Sequence, residues 1–147
     1  MRLGTKAETL KSLYNMLTYA RVLPQISFSV KEWREASDIY WTQCVKSWGD
    51  SVKMIVRSSA MNEDTGESSQ AGRFESVADV CGEKAFFKAV HTVIDSFDDD
   101  NENNQVLVQP MLHNVKLCGV AFTVDPNSLG NYYVINYDES GSTSAIT

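Results

Sequence analysis

The sequence predicts an α+β fold, helices packed on an antiparallel sheet, and three observations carry that expectation. Two capping boxes of the form T/S-x-x-E, Thr5 with Glu8 and Ser29 with Glu32, stand at the heads of segments with apolar residues at helical spacing. A third helical period covers residues 83–97. Three β-rich runs, 106–112, 117–124 and 132–137, then follow with turn-forming residues between them.

The first helix begins after Thr5, and its apolar stripe is Leu10, Leu13, Tyr14 and Leu17. The second opens at Ser29 and runs to about Trp48, where Gly49 stops it; Trp33, Tyr40, Trp41, Cys44, Val45 and Trp48 give it a broad apolar surface. Residues 53–57, Lys-Met-Ile-Val-Arg, form an extended run that ends on Arg57. A long polar loop joins this run to the third helix, in which Phe86, Val90, Val93, Ile94 and Phe97 recur at helical spacing before the acidic residues 98–102 end it. His113-Asn114 and residues 125–131 separate the last three runs, which predicts an antiparallel meander.

A chain of 147 residues is one domain's worth. Its 13 basic and 19 acidic residues give a net charge of −6, and the basic residues form no dense cluster, which argues against a nucleic-acid partner. There is no apolar run long enough to span a bilayer and no signal-type apolar segment near the start, so the expectation is a cytoplasmic chain without a membrane partner. Cys44, Cys81 and Cys118 are odd in number and widely spaced, and are expected to be reduced, mostly buried thiols. Neither His91 nor His113 has a cysteine or carboxylate at ligand spacing, and residues 98–102 lack the glycine and terminal glutamate of a calcium loop. No metal site and no Ser-His-Asp or Cys-His arrangement is therefore predicted.

The most informative stretch is 56–77, VRSSAMNEDTGESSQAGRFESV. Arg57 delivers a planar, five-donor cation beyond the strand, Gly66 and Gly72 permit backbone turns closed to other residues, and Ser58, Ser59, Thr65, Ser68, Ser69 and Ser76 supply hydroxyls. Such a loop can turn consecutive amide N–H groups toward one polyphosphate. The same composition, with Glu63, Asp64, Glu67 and Glu75, also describes a solvated surface loop, and no GxxxxGK[ST] is present. Lys6 stands in the first turn of the first helix, where the dipole disfavours a cation; a bound anion would resolve that conflict, and so would plain solvent exposure. Farther on, Gln109 offers donor and acceptor, Met111 a polarizable surface for a flat ring, and Pro110 an end to regular pairing that frees backbone groups for a base. Met111 serves equally well as a core residue.

The 56–77 run resembles the signature VRSSAxxEDxxxxSxAGxxxSxxxV of the nucleotide-binding domain shared by pyruvate phosphate dikinase, phosphoenolpyruvate synthase and rifampin phosphotransferase. Arg57, Ser58, Ser59, Ala60, Glu63, Asp64, Ser69, Ala71 and Gly72 fall at matching spacing, with Ser76 and Val77 close by. Residues 3–7, Leu-Gly-Thr-Lys-Ala, resemble that family's opening LGGKG, with Thr5 in place of the second glycine. Residues 106–111, Val-Leu-Val-Gln-Pro-Met, resemble its VxVQxM adenine hinge, and Cys118 to Pro126 resemble its SGVxFTxDP segment, so the likeness spans nearly the whole chain.

The resemblance implies the N-terminal portion of an ATP-grasp nucleotide-binding domain occupying residues 1–147, with ATP as ligand. It further implies that Lys6 and Arg57 neutralise the transferring phosphates, that Gly72, Arg73 and Ser76 cover them, and that Gln109 and Met111 hold adenine. In that family ATP phosphorylates a mobile histidine, which passes its phosphoryl group to an acceptor such as pyruvate. The magnesium-holding carboxylates and the phosphohistidine domain would then lie outside this chain, whose partner would be the remainder of the same polypeptide. LGTKAETL and YYVINYDESGS look more like capsule-locus members, among them an enzyme that phosphorylates the glutamine side-chain amide. A non-catalytic nucleotide-binding or partner-docking module is the alternative reading.

Overall fold

Four short strands pair into one antiparallel sheet in a computed structural model that describes residues 4–61 and 75–140. They are β1 (Ile26–Ser29), β2 (Met54–Ser59), β3 (Ser76–Val80) and β4 (Gln105–Pro110), and their order across the sheet is β1-β4-β2-β3. The helices of this unit, Met1–Met111, are α1 (Lys6–Leu13), α2 (Val30–Trp48) and α3 (Glu83–Asp95). Both capping boxes form as the sequence predicts: Thr5 and Ser29 each accept the N3 amide and receive the N3 glutamate on their own backbone N–H.

Antiparallel register puts directly opposite residues on one face, so the pairing separates the side chains into two sets. Ile26↔Val108, Phe28↔Val106, Val56↔Val108 and Ser58↔Val106 define the first face, against which α2 and α3 pack. Its core joins Phe28, Met54, Val56, Val80, Val106 and Val108 to Trp33 and Cys44 of α2 and to Phe86, Ala89, Val90 and Val93 of α3. The Phe28 and Trp33 rings stack with centroids 5.1 Å apart, and Phe86 meets Trp33 edge-on at 5.9 Å. Burial pushes the Cys44 thiol up to about 12, which keeps it protonated and unreactive.

The second unit, Leu112–Thr147, is built on a two-stranded antiparallel ladder of β5 (Cys118–Phe122) and β6 (Val134–Asp138). Asp125 organises the connection between these strands. Its carboxylate accepts the hydroxyls of Ser128 and Tyr132 and the backbone N–H groups of Asn127 and Ser128. Those bonds, led by the Ser128 hydroxyl, hold the Asp125 carboxyl down at about 2.

Several sequence expectations change in the structure. The α+β class, α2 and α3 stand, although α3 ends at Asp95 and α2 carries a kink at Ala36, where φ is −156° and ψ is 52°. The stripe assigned to the first helix is not a core face: α1 ends at Leu13, Ala7 is its buried residue, and Tyr14 and Leu17 are 57% and 41% exposed. Beyond the polar loop the chain enters β3 rather than a helix, and β1 was not foreseen. The meander holds only for β5 and β6, because β4 lies between β1 and β2. Cys44 is buried as expected, whereas Cys81 is exposed and Cys118 intermediate; none of the three is in a disulfide.

Two outcomes follow from these contacts. Phe86→Ala, which empties a fully buried ring site, should cost about 3–5 kcal/mol in urea unfolding followed by tryptophan fluorescence. Asp125 has a folded-state value below its ordinary 3.8, so its contribution is complete above 3.8 and is lost as pH falls through about 2. A carboxyl NMR titration should place its midpoint near 2, and Asp125→Asn should remove that acid-range dependence of the hairpin.

Candidate functional site

The sheet's second face is polar where the first is apolar. Alternation along β2 and β4 places Ile55, Arg57 and Ser59 beside Gln109, Leu107 and Gln105 respectively. Arg57 is also directly opposite Ser76 of β3, so Arg57, Ser76 and Gln109 share this face. Three of the sequence-predicted site residues thus come from three different strands onto one surface. Gly72 and Arg73 lie outside the described residues.

The first turn of α1, which includes Lys6, is anchored to residues of the same face. Ala7 N–H donates to Ser59 Oγ at 2.8 Å, and Thr5 Oγ1 donates to Gln105 Oε1 at 2.7 Å. Lys6 lies between these two anchors in the chain, at the end of the face where β2 leaves the sheet. Met111 follows β4 and is half-buried, but its backbone N–H donates to Lys53 O at 2.8 Å. Pairing therefore continues past Pro110, which itself lies opposite Met54, and the Met111 N–H is not released for a base.

The electrostatic feature of this face is Arg57. Its side chain is half-buried, and its Nε is buried with no hydrogen-bond partner among the described residues. A guanidinium carries donors and no acceptor, so a desolvated donor there calls for an acceptor, best an anion. Gln109 is 5% exposed on the same face, which gives this polar surface a largely desolvated floor.

Sequence reasoning missed two polar residues that hold the site, Asn104 and Gln105, and gave Ser59 only as one of the hydroxyls of the polyphosphate loop. Ser59, fully buried, and Gln105 fix α1 to the strands. Asn104 fixes the entry to the signature loop: its Oδ1 accepts Met61 N–H at 3.1 Å while its Nδ2 donates to Asp99 at 2.6 Å. No local pattern marked them, since an asparagine and a glutamine just before a strand resemble ordinary turn residues. An open groove of about 540 Å³, lined by Leu10, Tyr14, Pro24 and Ile26 among others, lies at the β1 edge and includes neither Lys6, Arg57 nor Gln109. Among the described residues no three histidine, cysteine, aspartate or glutamate side chains gather in a way that could hold a metal ion. No described helix is long and apolar enough to cross a membrane.

Residues 22–138 match the sequence model of the pyruvate phosphate dikinase AMP/ATP-binding domain. The match takes in Arg57, Gly72, Arg73, Ser76, Gln109 and Met111 and leaves Lys6 outside it. No curated protein matches the chain.

An unsatisfied Arg57 has a measurable signature. Arg57→Met should leave thermal stability within about 1 kcal/mol of the original, because it removes an unpaired buried donor and keeps the aliphatic stem's packing. The same change should weaken inorganic tripolyphosphate by about tenfold or more in calorimetric titration. A stability loss of several kcal/mol would mean that the guanidinium is already paired within the protein.

Proposed function

The chain belongs to the pyruvate phosphate dikinase AMP/ATP-binding domain family, and from that premise we propose that it forms the phosphate- and base-contacting part of the nucleotide site of a dikinase-type phosphotransferase. The observation that carries the proposal is the buried Nε of Arg57, without a partner among the described residues, on a sheet face shared with Ser76 and Gln109. A guanidinium poised in this way would lower the cost of gathering negative charge without any proton transfer. Lys6, in the first turn of α1 between the anchored Thr5 and Ala7, is proposed as a second cation. Gly72, Arg73 and Ser76 would cover the phosphates with amides, a guanidinium and a hydroxyl, which are the donor types a triphosphate accepts.

Gln109 and Met111 are the proposed adenine contacts. Gln109 offers a donor and an acceptor to a ring edge, while Met111 offers a soft surface to a ring face and contributes no backbone N–H, that group being bonded to Lys53. Magnesium, when bound with the nucleotide, would offset the charge of its phosphates. Its carboxylate ligands are proposed, on the family resemblance, to lie elsewhere in the polypeptide.

In the reaction proposed, ATP phosphorylates a carrier histidine of a later domain, and that histidine serves the acceptor. The acceptor is either pyruvate or, on the likeness of LGTKAETL and YYVINYDESGS to capsule-locus members, the glutamine side-chain amide. One lobe supplies only part of the contacts and must still offset the loss of ligand freedom, so this chain alone should bind ATP weakly and release no AMP.

Titration of the chain with ATP and with inorganic tripolyphosphate, combined with chromatography for AMP after incubation with ATP and magnesium, tests this reading. Gln109→Ala should weaken ATP by about fivefold to tenfold and tripolyphosphate hardly at all, because only ATP presents a base edge. Equal losses for the two ligands would move Gln109 away from the base. Steady AMP release by the 147-residue chain would show that the chemistry resides in it and would overturn its assignment as a nucleotide lobe.

A further inference from the structure

We infer that Gln105 is a positioning residue: it locks the first turn of α1, and with it Lys6, onto the sheet face that carries Arg57. The inference rests on the reading of Lys6 and Arg57 as phosphate partners, and it adds a residue that needs no contact with the nucleotide.

Apolar burial does little to hold α1, because Ala7 is its buried residue. Polar contacts hold it instead. Ala7 N–H donates to Ser59 Oγ, and the Gln25 side-chain amide donates to Ala7 O, each at 2.8 Å. Gln105 completes the arrangement from β4. Thr5 Oγ1 donates to Gln105 Oε1 at 2.7 Å, and Gln105 Nε2 donates to Glu8 Oε1 at 3.4 Å. Glu8 closes the ring: its Oε2 accepts Thr5 N–H at 3.0 Å, and its own N–H donates to Thr5 Oγ1 at 3.3 Å.

Proton bookkeeping makes this ring directional. A carboxylate only accepts, so the amide nitrogen of Gln105 must face Glu8 and its oxygen must face Thr5. The Thr5 oxygen already accepts from Glu8 N–H, which leaves its single proton for Gln105. An amide is the side chain that accepts from a hydroxyl and donates to a carboxylate at neutral pH. Gly4 leaves room for this, since a Cβ there would stand 2.1 Å from Glu8 Oε2.

The position of Gln105 supplies the functional consequence. It lies opposite Ser59 in the β2–β4 ladder, on the face of Arg57. The helix is therefore held against the strand pair that carries Arg57, not against the core on the far side of the sheet. With Thr5 and Ala7 both anchored there, the separation between Lys6 and Arg57 is set by side chains of β2 and β4.

Hydrogen exchange of the whole chain, with NMR titrations against tripolyphosphate and against adenosine, tests the inference. Gln105→Leu should speed exchange of the α1 amides, those of Thr9 and Tyr14 among them, by about tenfold or more while leaving α3 unchanged. It should also weaken tripolyphosphate more than adenosine. At neutral pH Gln105→Glu should behave in the same way, because its carboxylate meets Glu8 of α1. Across the strands its neighbours are neutral, Ser29 of β1 and Ser59 of β2, with Glu32 of α2 bonded to Ser29; the cations of this end are Lys6, next to Thr5 in α1, and Arg57, on the same face of β2. Acidification should restore its α1 protection factors, since a protonated carboxyl accepts from Thr5 and donates to Glu8 as the amide does, and like charge favours taking up that proton.

The acid rescue tests the ring itself, and a contact with only a structural role would not produce the selective loss of tripolyphosphate. Unchanged α1 exchange in both variants overturns the inference, and so does loosening of α1 with equal weakening of the two ligands. If the unaltered chain binds no tripolyphosphate, the reading of Lys6 and Arg57 falls and takes the inference with it, a failure seen before any variant is made.

Discussion

Strand β4 is the constraint on which the first unit depends, because it is paired along both edges and buried on both faces. Val106, Leu107 and Val108 are each fully buried, with Val106 and Val108 in the helical core and Leu107 on the opposite side. β1 and β2 are held in one sheet only through it. Any shift of β4 by one residue would exchange the two faces, sending valines into the polar surface and Gln109 into the core. The register that keeps the core apolar is thus the register that keeps Arg57, Ser76 and Gln109 together.

The two faces also divide the energetics. On the first, closely packed aromatic and aliphatic side chains supply the stability, with the buried Ser58 a polar exception. On the second, hydrogen bonds position a short helix that buries little apolar surface, and the Arg57 Nε is without a partner among the described residues. A desolvated donor of that kind costs stability in the free protein and favours an acceptor that reaches it.

Legibility from sequence followed the range of the interactions involved. The capping boxes of Thr5–Glu8 and Ser29–Glu32 are local devices spanning three residues, and both formed as expected. The helical period of α3 was likewise local. β1 is four residues long and ends on the serine that caps α2, too short for an alternation to register. β4 showed itself as a strand, but a run apolar on both faces says only that the strand is central and not which strands flank it. At the candidate site Arg57 and Gln109 drew attention by their chemistry and by family likeness, whereas their common face emerged only with the β2–β4 register. Asn104 and Gln105 gave no signal, and the anchoring role of Ser59 gave none either, because their partners are distant in the chain.

The order β1-β4-β2-β3 has a consequence for how the protein is made. Its central strand is the last of the four to be synthesised, and Ile26 must wait for Val108 before it has a partner. Until then a growing chain displays two open strand edges, one on β1 and one on β2, separated by the width of a missing strand. Local helices can form in that interval, but the sheet cannot close, and pairing across such a span is slow to nucleate. The gap is an invitation to the β4 segment of a neighbouring polypeptide on the same message, whose fit is identical. Crowded ribosomes and rapid induction should therefore favour exchanged or tangled species of this chain, and slower synthesis at lower temperature should favour the monomer closing on itself.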